Sequence, residues 1–520
     1  MKKALGYKLF PLAAAVCVAF ACITPGAVYA VGILPEKVRV GLTTKYDNTL
    51  TAPLGNKTVL LGYGQGDVFV PWGGLTAQTG FTMAVSGQFF VSLPTTYDTW
   101  DKALAAAAQQ SGIPAAVAAN AWMVYIGGYN TQGEAQTAAA SVGGKVAAVG
   151  STRVVLMDGS QAAAVFEGVP FVQVADAAGD FVSVGDRKYR GVVEFGRYDG
   201  RGITPVNIVS VDEYLYSVVP SEMPSAWPLE ALKAQAVAAR NYTVTDMGKH
   251  NGQGFQFCDG PHCQTYLGVT NEAASTTQAV NETSGVLAYY NGQPINAVYF
   301  SSSGGYTEDS GNVWVNASPY LKSVPEVNET QYKEWVRSFT PAEIQTQLAA
   351  KGIQIGTVTG VSVKSVSAAG RVMELTINGT SSSATLVKEE IRNFFAGTTG
   401  GILESRNFTL SNGSAKTVAT KVSVWSGGAP AEMALNTLAG IAADGQPVAL
   451  NNATVTGSQT TFTYTGQTNQ AVAGGNAIVF SGRGYGHGVG MSQYGAKGMA
   501  EIGYTFDQIL KHYYSGIEVQ

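Results

Sequence analysis

Charge is scarce in this chain. Of its 520 residues only 13% are Asp, Glu, Lys or Arg, about half the roughly 25% of an ordinary soluble domain. The 32 basic and 36 acidic residues nearly cancel, for a formal net charge of −4. Bulk electrostatics therefore gives no support to nucleic-acid binding. Cysteine and histidine are scarcer still, at four residues each. Four cysteines in a chain of this length exclude a disulfide-built scaffold. Beyond the N-terminus no run approaches the ~20 apolar residues of a membrane-spanning helix. Glycine is plentiful at 63 residues, and 45% of the chain is hydrophobic. That much apolar material with so little charge excludes a disordered chain. At about 100–200 residues per domain, two to four domains are expected.

The first thirty residues read as a secretory signal peptide. Lys2, Lys3 and Lys8 form its positive end, and the apolar run Leu9 to Ile23 follows. Val28 and Ala30 suit the −3 and −1 positions of a cleavage site, which predicts cutting after Ala30. The product is then exported, to the cell wall, periplasm or extracellular space, and keeps only Cys258 and Cys263.

Residues 31–115 read as a β-rich N-terminal region, in which Lys37 to Leu42 alternates with period two. Residues 101–112 read as an alanine-rich helix. A strand at Asn120–Tyr129, a helix at Gln132–Val142 and a strand at Arg153–Met157 follow. This strand–helix–strand order, with a glycine turn before the helix, resembles the SPOR repeat. The resemblance implies a glycan-binding module over 116–175. Residues 176–520 read as one catalytic domain with a β-rich insert at about 330–480. Helices are expected in that insert near Pro341–Ala350 and Leu386–Phe395, and a glycine-rich loop and two helices at the C-terminus. The expected fold class is α+β, a β-rich catalytic domain with a helical hairpin plus a small α/β module.

The segment from Val211 to Pro224 carries the chemistry. Asp212 is suited to cap a short helix with Leu215, Val218 and Val219 on its apolar side, and Pro220 is suited to end it. Glu222 then falls on a stiff turn before a second helix from Pro228, with Leu229, Leu232, Ala236 and Ala239 in one stripe. Read locally, Glu222 is either a held general acid or a surface glutamate paired with a base such as Lys233.

The stretch VDEYLYSVVPSEMPSAWPLEALKAQAVAARNYTV at 211–244 resembles the signature of the stage II sporulation protein D family, which includes proteins called amidase enhancers. VYFSSSGGYTEDSGNVW at 298–314 and FSGRGYGHGVGMSQYGAKGMAEIGYTFDQILKHYYSG at 480–516 agree, in the family's order. The resemblance implies an exported peptidoglycan lytic transglycosylase that cleaves between N-acetylmuramic acid and N-acetylglucosamine, on strands free of peptide. It puts the catalytic acid, later the base, at Glu222. A lytic reaction needs one carboxylate, because the muramic C6 hydroxyl attacks its own anomeric carbon. Hydrolysis ordinarily needs two. Asp212 and Glu213, the rival acids, sit where helix capping accounts for them. The partners implied are peptidoglycan glycan strands and a cell-wall amidase. The alternative function is a non-catalytic wall-binding enhancer of an N-acetylmuramoyl-L-alanine amidase.

His250 and the segment Phe257 to Gln264 hold both mature cysteines and two of the four histidines. Thiolate and imidazole in one short loop suit Zn2+. A Cys258–Cys263 disulfide is the other reading in an oxidising compartment. The resemblance implies ligation by His250, Cys258 and Cys263. The gap between His250 and Cys258 is longer than the family's, and His262 is the alternative histidine.

Gly482 to Gly490 alternates glycine with other residues, yet lacks both the Gly-Lys-Ser/Thr and the G-x-G-x-x-G patterns, which excludes nucleotide binding. Such glycines let the backbone lie against a sugar or another loop. His487 and Gln493 are candidate substrate contacts there. By family position Ser302 and Tyr320 are further candidates. A Ser302–His487 hydrolase is excluded by the missing G-x-S-x-G elbow. Thr505 to Gln508 resembles a capping box for the last helix.

Overall fold

The computed structural model describes residues 34–169, 171–198, 200–330, 333–398, 401–412 and 477–520, and the backbone of six short strands between Lys421 and Thr463. The expected signal peptide lies outside the described residues. The fold is α+β and rich in strands, as expected. The chain forms two compact units. One comprises residues up to Glu222 together with Thr243–Glu272, and the other Met223–Tyr242 with Ala273–Gln520. Among the described residues no helix is long and apolar enough to cross a membrane.

The first unit is built on two sheets. One has seven strands, in the order Phe257–Cys258, Lys37–Gly41, Val206–Ser210, Val192–Gly196, Phe171–Asp176, Thr58–Gln65 and Val68–Thr76. The expected alternation of Lys37–Gly41 is real: Val38 and Val40 are fully buried. This strand runs antiparallel to Val206–Ser210 and parallel to Phe257–Cys258. Segments more than 150 residues apart in the chain therefore share one sheet, which crosses the boundaries expected at 115/116 and 175/176.

The small α/β module starts earlier than position 116. Strand Phe89–Tyr97, helix Trp100–Gln109, strands Ile113–Ala118 and Ala121–Tyr129, helix Gln132–Val142 and strand Lys145–Val146 form a β-α-β-β-α-β run. Its strands pair antiparallel in the order Ile113–Ala118, Ala121–Tyr129, Phe89–Tyr97, Lys145–Val146, the split β-α-β arrangement. Local chemistry explains both helices. Thr99 caps the first, which buries Trp100, Ala103 and Ala107. Thr131 and Glu134 form a capping box on the second, and Gly143 ends it in the left-handed conformation. The expected strand at Arg153–Met157 is Val154–Asp158. It lies outside this run and pairs with Gln161–Phe166 and Phe81–Ala84.

Among the described residues of the second unit, two apolar cores can be named. One gathers Leu232, Val237, Val489, Met491, Met499, Leu510 and their neighbours. Asn241 anchors the long helix there, its amide bonding the carbonyls of Ala288 and Ile295 and its oxygen accepting from the Ala288 N–H. The other core belongs to the expected insert and packs Phe339, Ile344, Leu375, Phe395 and Phe480. The expected helix is present at Pro341–Ala350, and Glu390–Phe394 is the helical part of the second expected one.

Candidate active site and metal centre

In the first unit Glu222 closes the helix Val211–Glu222. Pro220 lies inside that helix instead of ending it, so the carboxyl sits on the last helical turn and not on a connecting turn. Proline forfeits one i→i−4 hydrogen bond, which this C-terminal turn tolerates. The helix cap also differs from expectation. Ser210 and Glu213 bond reciprocally, backbone N–H to side chain in both directions, and form a capping box where Asp212 was expected to be the cap. Glu213 is therefore occupied in holding the helix start.

Side chains around the last turn fix its position. Ser221 Oγ donates to the Ser217 carbonyl at 2.8 Å. Asn271 Nδ2 donates to Ser221 Oγ at 2.8 Å, and Leu267 N–H to Ser217 Oγ at 3.0 Å. The chain after the cysteine loop thus clamps the residues directly before Glu222. Tyr214, stacked on Phe257 and tilted on Tyr266, seats the rest of the helix. Lys233, the base weighed as a partner for Glu222, bonds Glu230 at 2.9 Å and Glu282 at 2.7 Å.

The same unit brings together all four metal-ligating side chains of the loop. One ligand atom each from His250, Cys258, His262 and Cys263 falls within 4.8 Å of the others. His250 Nε2 lies 3.3 Å from Cys263 Sγ, and His262 Nδ1 lies 3.8 and 3.7 Å from the two sulfurs. Tetrahedral zinc with its usual bond lengths puts sulfur and nitrogen about 3.5 Å apart, so the donor set fits. The two sulfurs are not bonded to each other. His250 Nδ1 faces Gln253 Oε1, which leaves Nε2 for a metal. Burial and the neighbouring Cys258 thiol push the Cys263 thiol up to about 12, and a bound cation reverses that penalty. Asp259, between the cysteines, pins the loop. It accepts from Thr44 N–H at 2.8 Å and Thr44 Oγ1 at 2.6 Å, and pairs with Arg187 at 3.2 Å. The sequence left His250 and His262 as alternatives, and the fold brings a ring nitrogen of each within reach of the same two sulfurs.

In the second unit the two loops expected to touch substrate are woven into each other. Ser302 and Tyr485 exchange backbone hydrogen bonds at 3.1 and 2.7 Å, and Phe300 pairs with Ser492. The glycines serve loop-to-loop approach: Gly490 has φ +78°, and a Cβ there would stand 2.1 Å from the Val298 carbonyl. Ser302 is fully buried. His487 lies between the rings of Phe300 and Trp314, and its Nδ1 accepts from Val489 N–H at 3.1 Å. Burial and the nearby Arg392 and Arg371 push its pKa down to about 3. It is a neutral, loop-holding imidazole. Gln493 begins the helix Gln493–Glu501 and is 8% exposed. Tyr320 keeps a partly exposed ring against Tyr290, and its hydroxyl accepts from Asn296 N–H. The expected capping box Thr505–Gln508 is present.

A carboxylate pair under these loops, Glu329 buried and Glu326 half-buried, has no sequence signature. Glu329 accepts from Ser303 N–H and Oγ, Gly304 N–H and Ser492 Oγ. Glu326 accepts from Tyr513 at 2.6 Å, and its other oxygen is unpartnered. Burial, then the charge of Glu329, raises Glu326 from the ordinary 4.5 to about 7. The unfolded chain releases that proton near 4.5 and the folded chain near 7, so stability falls as pH rises across this window and stays low above it. Glu326→Gln is expected to flatten that slope and to raise stability at pH 8 by up to about 3 kcal/mol. Urea midpoints against pH for parent and variant check this.

Comparison with known proteins agrees with these motifs. Residues 199–290 match the family described as stage II sporulation protein, and residues 312–428 match a domain of unknown function. Neither range reaches the α/β module, which is not identified as a SPOR repeat. The amidase enhancer of Bacillus subtilis is 32% identical over 325 residues, 58% of this chain and 39% of that protein. An uncharacterised protein of Brachyspira hyodysenteriae is 28% identical over 335 residues, 64% of this chain and 72% of its own length. The stage II sporulation protein D of Bacillus subtilis is 30% identical over 335 residues, and the matched region covers 60% of this chain and 75% of that protein. The chain belongs to the stage II sporulation protein D family.

Proposed function

We propose that this protein is an exported lytic transglycosylase of peptidoglycan glycan strands, with Glu222 as its single catalytic carboxyl. The observation that carries this reading is Glu222 on the last turn of a helix whose preceding residues are clamped by Ser217, Ser221 and Asn271. The protonated Glu222 gives its proton to the glycosidic oxygen as the bond to the muramic anomeric carbon breaks. The carboxylate then takes the proton of the muramic C6 hydroxyl as that oxygen bonds to the anomeric carbon. The product ends in 1,6-anhydromuramic acid, and no water is consumed.

The four-residue cluster is proposed to hold Zn2+. With four protein ligands the ion has no open position. It holds the loop from which Leu267 and Asn271 reach the acid helix, and the proton steps stay with Glu222. The β-α-β-β-α-β module is proposed as a glycan-binding element, and Tyr320 and Gln493 as substrate contacts. The second reading, an enhancer of a cell-wall amidase, is supported by the name of the Bacillus subtilis relative at 32% identity. Digestion of peptide-free strands with residues 31–520, read by mass spectrometry, separates the two. Anhydro-ended fragments support the enzyme. Intact strands bound to folded, metal-loaded protein support the enhancer.

A further inference from the structure

The second unit carries an aromatic and cationic row that the reaction above does not use. Trp227 and Tyr494 meet edge to face with centroids 4.9 Å apart. The ammonium of Lys333 lies 4.9 Å from the Tyr485 ring centre and 5.8 Å from that of Tyr494. Lys497 lies 5.9 Å from the Trp227 ring and is paired with Glu501 at 2.8 Å. Tyr485 is 46% exposed, and Lys333 is exposed. Among the described residues Lys333 has no carboxylate partner. The Tyr485 ring projects from backbone locked to Ser302 by two hydrogen bonds, so it is presented rigidly.

A large exposed tyrosine beside partly exposed tryptophan and tyrosine offers flat faces to the C–H surface of sugar rings. A lysine poised on two such faces, with no carboxylate partner among the described residues, is held ready for an anion. Peptidoglycan glycan has one anionic group per disaccharide, the lactyl carboxylate of muramic acid, and it is ionised only where no peptide is attached. An attached peptide turns it into a neutral amide.

We infer that Trp227, Tyr494 and Tyr485 form a sugar-stacking row in which Lys333 pairs with a free lactyl carboxylate. The row would thus distinguish peptide-free strands from substituted ones. This rests on the proposed function for the identity of the glycan, not for its cleavage.

The test is binding of fluorescent strands to full-length Glu222→Gln protein, with Lys333→Gln or Tyr485→Ala added. Three probes are used: peptide-free strands, the same strands with their carboxyls reduced to alcohols, and peptide-bearing strands. Lys333→Gln is expected to weaken binding of peptide-free strands roughly five- to tenfold at low salt, and less at high salt. It should leave the reduced and peptide-bearing strands unaffected. Tyr485→Ala should weaken the peptide-free and reduced strands alike. Unchanged binding of peptide-free strands by Lys333→Gln overturns the inference, as does an equal loss on reduced strands. Both substitutions are on exposed side chains, and near-ultraviolet dichroism confirms the fold. If the parent makes no anhydro ends yet shows this binding pattern, the row stands and the lytic reading falls. If the parent cleaves and Lys333→Gln binds normally, the reverse holds.

Discussion

Glu222→Gln is expected to lower glycan cleavage by about 10²–10⁴-fold, the usual contribution of a positioned general acid, and to leave thermal unfolding nearly unchanged. The amide keeps the volume of the carboxyl and loses the transferable proton. Glu222 is partly exposed at a helix end, so an isosteric amide there disturbs little packing. Glu213→Ala is the informative companion. Glu213 closes the capping box with Ser210, so its loss should cost about 1 kcal/mol of stability and spare the chemistry. Disturbing the clamp is expected to give an intermediate result. Asn271→Ala removes the amide that bonds Ser221 and the Ser217 carbonyl, and it should reduce the rate without abolishing it. Steady-state release of anhydro-ended fragments, beside melting curves, separates the three.

The second large effect concerns the metal. The purified chain is expected to hold one zinc, and cobalt in its place should show the intense visible bands of a tetrahedral site with two thiolates. A metal present at a thousand times its dissociation constant contributes about 4 kcal/mol of apparent stability, so chelation should lower the melting temperature sharply. Cys258→Ser should abolish tight binding. The decisive variant is His262→Ala. If His262 is a fourth ligand, as its 3.8 and 3.7 Å distances to the sulfurs imply, the cobalt spectrum changes and affinity falls. An unchanged spectrum would mean three protein ligands and an open position, at which water or substrate could bind.

Local patterns in the sequence were legible where local physics decides. The alternation at Lys37–Gly41, the helix at Pro341–Ala350 and the capping box at Thr505 all follow from residues within one element. Glu222 stood out as the proposed acid because it lies in a long contiguous motif. Domain limits were not legible, because the sheets pair Lys37–Gly41 with Val206–Ser210 and Phe257–Cys258, and no periodicity reports so distant a partner. Pro220 suggested a helix end, but the packing of Tyr214, Leu215, Val218 and Val219 keeps the last turn helical. The proximity of His250 and His262 to the same two cysteines depends on a loop folding back, which spacing alone does not encode. Glu326 and Glu329 lie in a stretch of ordinary polarity, and only tertiary burial makes them unusual.

The central claim is that Glu222 cleaves without water. Digestion of peptide-free strands in water enriched in heavy oxygen tests it directly. The account predicts anhydro-ended fragments with no heavy oxygen from the parent, and none at all from Glu222→Gln. Fragments carrying one heavy oxygen at a reducing end would contradict it, since they require a water nucleophile and a second carboxyl to activate it.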